Sequence, residues 1–214
     1  MKDPFFEISE LQKTKLLKLL ATHIYNFNKN ENIIQVLNNT NFIGIILEGY
    51  AKIININYMG EENLSQELFP NSVFGTNISG IDNTECQIVV VDEPTKVLII
   101  DYDKIINMEN TNHVYFNRFL LNIFDIINSK FKETNDRLYI LTKKTIRDRL
   151  LAFFETEYRK DRNLNLYLPY TLKDLSDYLS VNRSAMFREL RSLKDENFIK
   201  IKGNHITLLY RPSL

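Results

Sequence analysis

The sequence predicts an α+β chain in three parts: a small antiparallel β-barrel or jelly roll, one long helix, and a winged helix-turn-helix. Three observations predict it. Between Ile43 and Asp101, short β-branched runs are punctuated by glycine and proline. From about Asn112 to Leu141 there is no Gly or Pro at all. From Thr171 to Leu208, helix, turn, helix and hairpin signals follow one another. The boundaries expected are 1–110 for the β-rich domain, 111–141 for the long helix and 142–214 for the C-terminal domain.

The first element is a helix from Ser9 to about Tyr25. Ser9 with Gln12 forms a capping box, and Leu16, Leu17, Leu20 and Ile24 give one apolar face. Strands are expected over Ile43 to Leu47, Lys52 to Tyr58, Gln87 to Val91 and Lys96 to Asp101, with Ile54, Ile56 and Tyr58 alternating against Ile53, Asn55 and Asn57.

In the long helix, Leu120, Phe124, Ile127, Phe131, Thr134, Leu138 and Leu141 recur at alternating steps of four and three, a heptad seam interrupted by Thr134. Roughly 30 residues at 1.5 Å each give about 45 Å, more than a domain of this size needs internally. The seam therefore predicts a parallel homodimer, with Leu120, Phe124, Ile127, Phe131 and Leu138 facing a second copy.

Thr171 with Asp174 caps the next helix, which carries Leu172, Leu175 and Leu179. Ser180-Val181-Asn182 breaks it, and Asn182 caps a second helix with Met186, Leu190 and Leu193 inward. Arg183, Ser184, Phe187 and Arg188 are then left outward near its N-terminus, where a recognition helix meets base edges. Arg forks onto guanine O6 and N7, Ser donates or accepts, and Phe suits a thymine methyl. Ile199 and Ile201, Gly203-Asn204, then Ile206 and Leu208 read as a hairpin wing, with Lys200 and Lys202 placed for phosphate.

Net charge is zero over 214 residues, but unevenly spread. From Thr142 onward 15 basic and 9 acidic residues give +6; the remainder, 12 and 18, gives −6. Only the C-terminal end is suited to phosphate. With 44% hydrophobic and 25% charged residues the chain can bury two modest cores. It has no stretch of about 18 apolar residues and no signal peptide, and its single Cys86 fits a reducing compartment, so a cytoplasmic protein is expected. One Cys cannot hold an iron–sulfur cluster, and His23, His113 and His205 lack metal-ligand spacing, so no metal or cofactor is expected. Cys86 entering a β-run reads as a small buried hydrophobe, with redox sensing the alternative. No nucleophilic constellation or phosphate-cradling loop suggests an enzyme.

Several segments resemble the Crp/Fnr family of bacterial transcription regulators. Ile46-Leu47-Glu48-Gly49-Tyr50-Ala51-Lys52 is similar to the family's I-L-x-G-x-x-K turn, and Phe69-Pro70-Asn71-Ser72-Val73-Phe74-Gly75 to its x-P-G-x-x-x-G segment. Asp148-Arg149-Leu150-Leu151 resembles the helix after the dimer helix, and Leu175 to Arg188 resembles L-A-x-x-L-G-V-S-R-E-T-V-S-R. The resemblance implies a cyclic-nucleotide-binding-like sensor barrel, a dimerisation helix, and double-stranded DNA and RNA polymerase as partners. Arg183 and Arg188 fall on the family's base-reading arginines, while Ser184 stands where a glutamate usually accepts from cytosine.

The effector pocket departs further. By the resemblance, Gly75 and Thr76 stand at the family's ligand loop, its phosphate-binding pair falls near Glu85 and Cys86, and Thr134 and Asn135 fall where the helix contacts adenine, with tuning of the seam register the other reading of Thr134; yet no Lys or Arg lies between Lys52 and Lys96. Seven carboxylates do. A cyclic phosphate would lack its forked cationic contact. The expectation is a homodimeric regulator of a two-fold DNA site that does not respond to cyclic AMP, with an unknown small-molecule effector or none. The alternative is a ligand-binding signalling module whose C-terminal domain binds protein instead of DNA.

Overall fold

The structure, a computed structural model, describes residues 2–37, 41–56, 58–75, 87–106, 113–168 and 171–212. Its contacts divide the chain into two compact units, Met1–Ser129 and Lys130–Leu214. In the first, α1 (Glu10–Leu19) opens on the expected capping box, Ser9 and Gln12 each accepting from the other's backbone N–H. The helix ends earlier than the apolar spacing predicts. Ala21 turns the chain at φ +46, and His23–Phe27 becomes strand β1, antiparallel to β7 (Thr95–Asp101). Ile24 and Tyr25 are thus strand residues: branched and aromatic side chains lose χ1 freedom in a helix and suit a pleated ladder, and β7 supplies one.

The barrel consists of two antiparallel sheets. One has the order β1-β7-β2-β5, with β2 Phe42–Glu48 and β5 Val73–Phe74; the other has β4-β3-β6, with β3 Ala51–Ile56, β4 Glu62–Leu68 and β6 Gln87–Val91. Phe27, Phe42, Ile46, Ile53, Phe74 and Val89 fill the interior, together with Ile33 from the short helix α2 (Ile33–Leu37). Ile43 and Ile45, on the other face of β2, join a second cluster with Leu16, Leu20, Phe116 and Phe119. Both faces of β2 are therefore covered, which explains its unbroken apolar run. Gly49, at φ +89, turns β2 into β3 where a Cβ would stand 2.6 Å from the Pro94 carbonyl oxygen. β3 stops at Ile56, short of the expected Tyr58, which is exposed in the turn; Asn57 lies outside the described residues.

After α3 (Tyr102–Ile106), α4 (Val114–Leu141) supplies the long helix, 28 residues or about 42 Å. Its first half packs Phe116, Phe119, Ile123 and Ile126 into the second cluster. Asn122, buried, donates to the carbonyls of Pro4 (3.0 Å) and Phe6 (2.8 Å), binding the N-terminal segment to the helix. In the second unit, α5 (Ile146–Asp161), α6 (Leu172–Tyr178) and α7 (Arg183–Asp195) pack with a sheet ordered β8-β10-β9, where β8 is Asn165–Tyr167, β9 Ile199–Lys202 and β10 His205–Leu208. Leu150, Phe153, Phe154, Leu175, Leu190 and Ile206 lie at its core.

Candidate nucleic-acid interface

The turn between α6 and α7 is built from its caps. Thr171 and Asp174 form the expected capping box of α6, and Leu175 and Leu179 are buried. Ser180 then takes φ +51, Val181 N–H reaches back to the Ser176 carbonyl, and Asn182 caps α7 by accepting from Ala185 N–H at 3.1 Å. Arg149 on α5 holds the turn from beneath, Nη1 donating to the carbonyls of Leu179 (3.0 Å) and Ser180 (3.1 Å). These are the end carbonyls that a helix leaves unsatisfied, and a cation suits them. The arginine of the Asp148-Arg149-Leu150-Leu151 segment is thus a support for the turn.

Met186, Leu190 and Leu193 are buried and fix the rotation of α7. Each contributes roughly 2 kcal/mol by its burial, so a turn of the helix about its axis is strongly opposed. Arg147 locks the other end: it donates to both carboxylate oxygens of Glu196 and to Glu189 at 3.3 Å. Hydrogen bonds from Arg147 and then Ser192 hold the Glu196 carboxyl down to about 2. Because Glu189 faces Arg147, it is turned away from the helix's outer surface.

On that outer surface Arg183, Ser184, Phe187 and Arg188 are all exposed, as the apolar spacing predicts. No acidic residue occupies the first turn of α7, and among the described residues neither arginine makes an ion pair. Arg183 stacks on Phe187, guanidinium carbon to ring centroid 5.6 Å. Lys200 and Lys202 are exposed on the wing. Between helix and wing lies a concavity of about 350 Å³ lined by Phe187, Arg188, Leu190, Arg191, Lys194 and Ile201. Arg191 and Lys194, which the apolar spacing does not single out, line it too; they lie three and six positions beyond Arg188, a spacing that keeps them on one helical side.

The positions expected to hold an effector are less complete. Thr76, Glu85 and Cys86 lie outside the described residues. Gly75 closes β5 at φ +143, where a Cβ would meet the Phe42 carbonyl oxygen at 2.2 Å. Thr134 and Asn135 are exposed on α4 and belong to the second unit. The cations bordering the acidic stretch are engaged: Lys52 with Asp92, and Lys96 with Glu48 at 2.9 Å. Arg118 pairs with Glu7 and lies against the Phe6 ring. Asn55, two residues beyond Ile53 on the same face of β3, has a shielded side-chain oxygen that meets no donor among the described residues. Nothing in the sequence marks such an orphan acceptor. Among the described residues no group of three or more His, Cys, Asp or Glu is placed to hold a metal ion.

Along α4, Phe124, Phe131 and Leu138 are 60%, 65% and 59% exposed at steps of seven residues, whereas Leu120 and Ile127 pack partly onto the barrel's second cluster. The seam is therefore divided between the chain's own core and solvent.

Residues 147–214 match the Crp-like helix-turn-helix domain. Among solved structures, the chain is similar to CprK complexed with OCPA (TM-score 0.62, 19% identity, 92% of this chain and 91% of that one). It is also similar to a cyclic nucleotide-binding domain containing protein from Listeria monocytogenes EGD-e (0.55, 20%, 91% and 96%) and to the Thermus thermophilus catabolite activator protein (0.50, 14%, 96% and 92%). No curated protein matches the chain in sequence. At these identities the structural likenesses establish a shared fold: β-rich domain, long helix and helix-turn-helix with a wing.

Proposed function

We propose that this chain, a Crp/Fnr-type transcription regulator by its C-terminal domain and not an enzyme, binds a two-fold DNA operator as a homodimer and does so without cyclic AMP. The observation that carries this reading is the outer face of α7: Arg183 and Arg188 exposed, without acidic partners among the described residues, on a helix whose rotation is fixed by three buried side chains. Arg183, Ser184, Phe187 and Arg188 read base edges. Arg191, Lys194, Lys200 and Lys202, farther along the helix and on the wing, contact phosphates and set register. RNA polymerase is the partner that a regulator of this type requires.

The seam supports the dimer, because Phe124, Phe131 and Leu138 leave a heptad row of large apolar side chains in water on a single chain. A second copy covers them. The sensor pocket supports an effector other than a cyclic nucleotide. With no cation from Ile53 to Thr95, and Lys52, Lys96 and Arg118 held by carboxylates, a ligand phosphate would meet carboxylates and backbone amides but no unengaged cation among these residues. An effector that uses the Asn55 oxygen carries a hydrogen-bond donor and is neutral or cationic.

Titration of the chain with genomic DNA fragments at 50 and 200 mM salt, both on the order used for counting released counterions, tests the reading. Sequence-selective binding that weakens steeply between the two is expected. Binding equally weak for all fragments, or none at the lower salt, would leave α7 without the assigned role.

A further inference from the structure

We propose that the C-terminal unit holds a binding site for a free α-amino acid with an apolar side chain, and that this ligand acts on α7. Binding there does not depend on DNA recognition; the consequence for α7 rests on the DNA-binding reading above. The site is a cavity of about 330 Å³. Tyr139 and Lys143 line it from the end of α4 and the turn that follows, Leu151 and Glu155 from α5, and Phe198 and Tyr210 from the chain on either side of the wing. All of them belong to the second compact unit. Small-molecule sites begin at roughly 300 Å³, so the space suits a ligand the size of one amino acid.

The cavity holds charges of both signs without pairing them. Lys143 and Glu155 are both half-buried, yet among the described residues no ion pair engages either. Lys143 Nζ lies over the Tyr139 ring, 3.9 Å from its centroid, while the Tyr139 hydroxyl donates to Glu155 Oε2 at 3.2 Å, so one aromatic side chain engages them both. Asp148, seven residues before Glu155 and so on the same side of α5, adds a second carboxylate, one oxygen of which accepts from the Thr145 hydroxyl. A ligand with only a negative charge would face these carboxylates, and one with only a positive charge would face Lys143 and, on the same ring, Arg159. A zwitterion answers both, its ammonium going to Glu155 and its carboxylate to Lys143. Leu151, Phe198 and Pro212 offer the apolar wall for its side chain. The Tyr210 hydroxyl is shielded and meets no partner among the described residues; burial and then the Glu155 charge push its pKa up to about 12, so it stays a donor in want of an acceptor. A ligand carboxylate brings one into the same cavity.

Phe198 connects this site to α7. Its ring meets the Tyr210 ring at 5.6 Å and the Arg147 guanidinium at 5.2 Å. Arg147 in turn holds Glu189 and Glu196 at the end of α7. A ligand seated against Phe198 is thus one side chain away from the contact that locks the recognition helix.

The test is isothermal calorimetry of the full-length chain with L-leucine and L-phenylalanine, each set beside its amine, which lacks the carboxylate, and its N-acetyl derivative, which lacks the ammonium. Saturable binding of at least one amino acid is expected, with both of its analogues weaker by about tenfold or more, the worth of one charged hydrogen bond. Lys143→Met should bind the amino acid and its amine alike, and Glu155→Gln should bind the amino acid and its N-acetyl derivative alike. Thermal melts without ligand that match the wild type show that the variants are folded, and the analogue series on the unaltered chain decides by itself should a variant fail to fold. No saturable binding of either amino acid, analogues bound as tightly as the parent, or folded variants with unchanged affinity would overturn the site. Saturating amino acid should also change the affinity for a bound genomic fragment by about fivefold or more. An unchanged affinity would overturn the effect on α7 and leave the site standing. A chain that binds no fragment selectively would overturn the DNA reading, with the calorimetry unaffected.

Discussion

The barrel and the C-terminal domain use cationic side chains in opposite ways. In the barrel unit Lys52, Lys96 and Arg118 each rest on a carboxylate, and Lys2 meets Asp125 at 3.6 Å. In the C-terminal unit Glu189 and Glu196 are instead drawn to Arg147 on the supporting side, and among the described residues no ion pair engages Arg183 or Arg188 on the outer face. Surface ion pairs add little stability, so their arrangement is better read as a distribution of field. Lys52, Lys96 and Arg118 are neutralised locally, whereas Arg183 and Arg188 keep their charge pointed outward. The net charges of −6 and +6 in the two parts of the sequence express the same contrast.

The largest expected effect comes from the helix that both units share. A charge at Phe131 would be buried against its twin in the dimer, so Phe131→Asp should yield monomers by light scattering and abolish tight operator binding. A dimer that persists in this variant removes the seam from consideration. Next, Arg188→Ala should cost about 1 to 3 kcal/mol and relax preference at one position per half-site, measured by fluorescence anisotropy on a set of single-base variants. Lys200→Ala in the wing should instead weaken all sequences alike and lower the salt slope by about 1. If both variants lose selectivity equally, helix and wing do not divide the work.

How much of this was legible in the sequence depends on how local the cause is. The capping boxes at Ser9 and Thr171, the Asn182 cap and the inward row of Met186, Leu190 and Leu193 are set within a few residues, and the structure has them all. Strand β1 was misread because His23 to Phe27 is strand only by virtue of β7, some 70 residues away. β4 escaped because Glu62 to Leu68 is polar, and β8 because three residues carry no period. Arg118, too, has its partner far back in the chain at Glu7.

Two smaller effects sharpen the contrast in charge. Calorimetric titration of the dimer with cyclic AMP and cyclic GMP should show no binding at physiological concentration, since at about 4 Å and an effective dielectric near 20 each unit charge acts by roughly 4 kcal/mol, here with an unfavourable sign. A micromolar dissociation constant for either would mean that a cation reaches the pocket. Glu196, whose folded value is depressed from 4.5 to about 2, contributes stability that is fully present above its unfolded value and is lost as pH falls through that window. Thermal melts of the wild type and Glu196→Gln should therefore differ near neutral pH and converge as pH approaches 2. A constant difference would mean that the Arg147 contact has no part in acid sensitivity.

Hydroxyl-radical footprinting of the full-length chain on a selected operator tests most directly whether two outward α7 faces act together on DNA. Two protected patches are expected with centres about 34 Å apart, one helical turn, and both should vanish together in Phe131→Asp. A single protected patch, or two that survive the loss of the dimer, would contradict paired recognition helices.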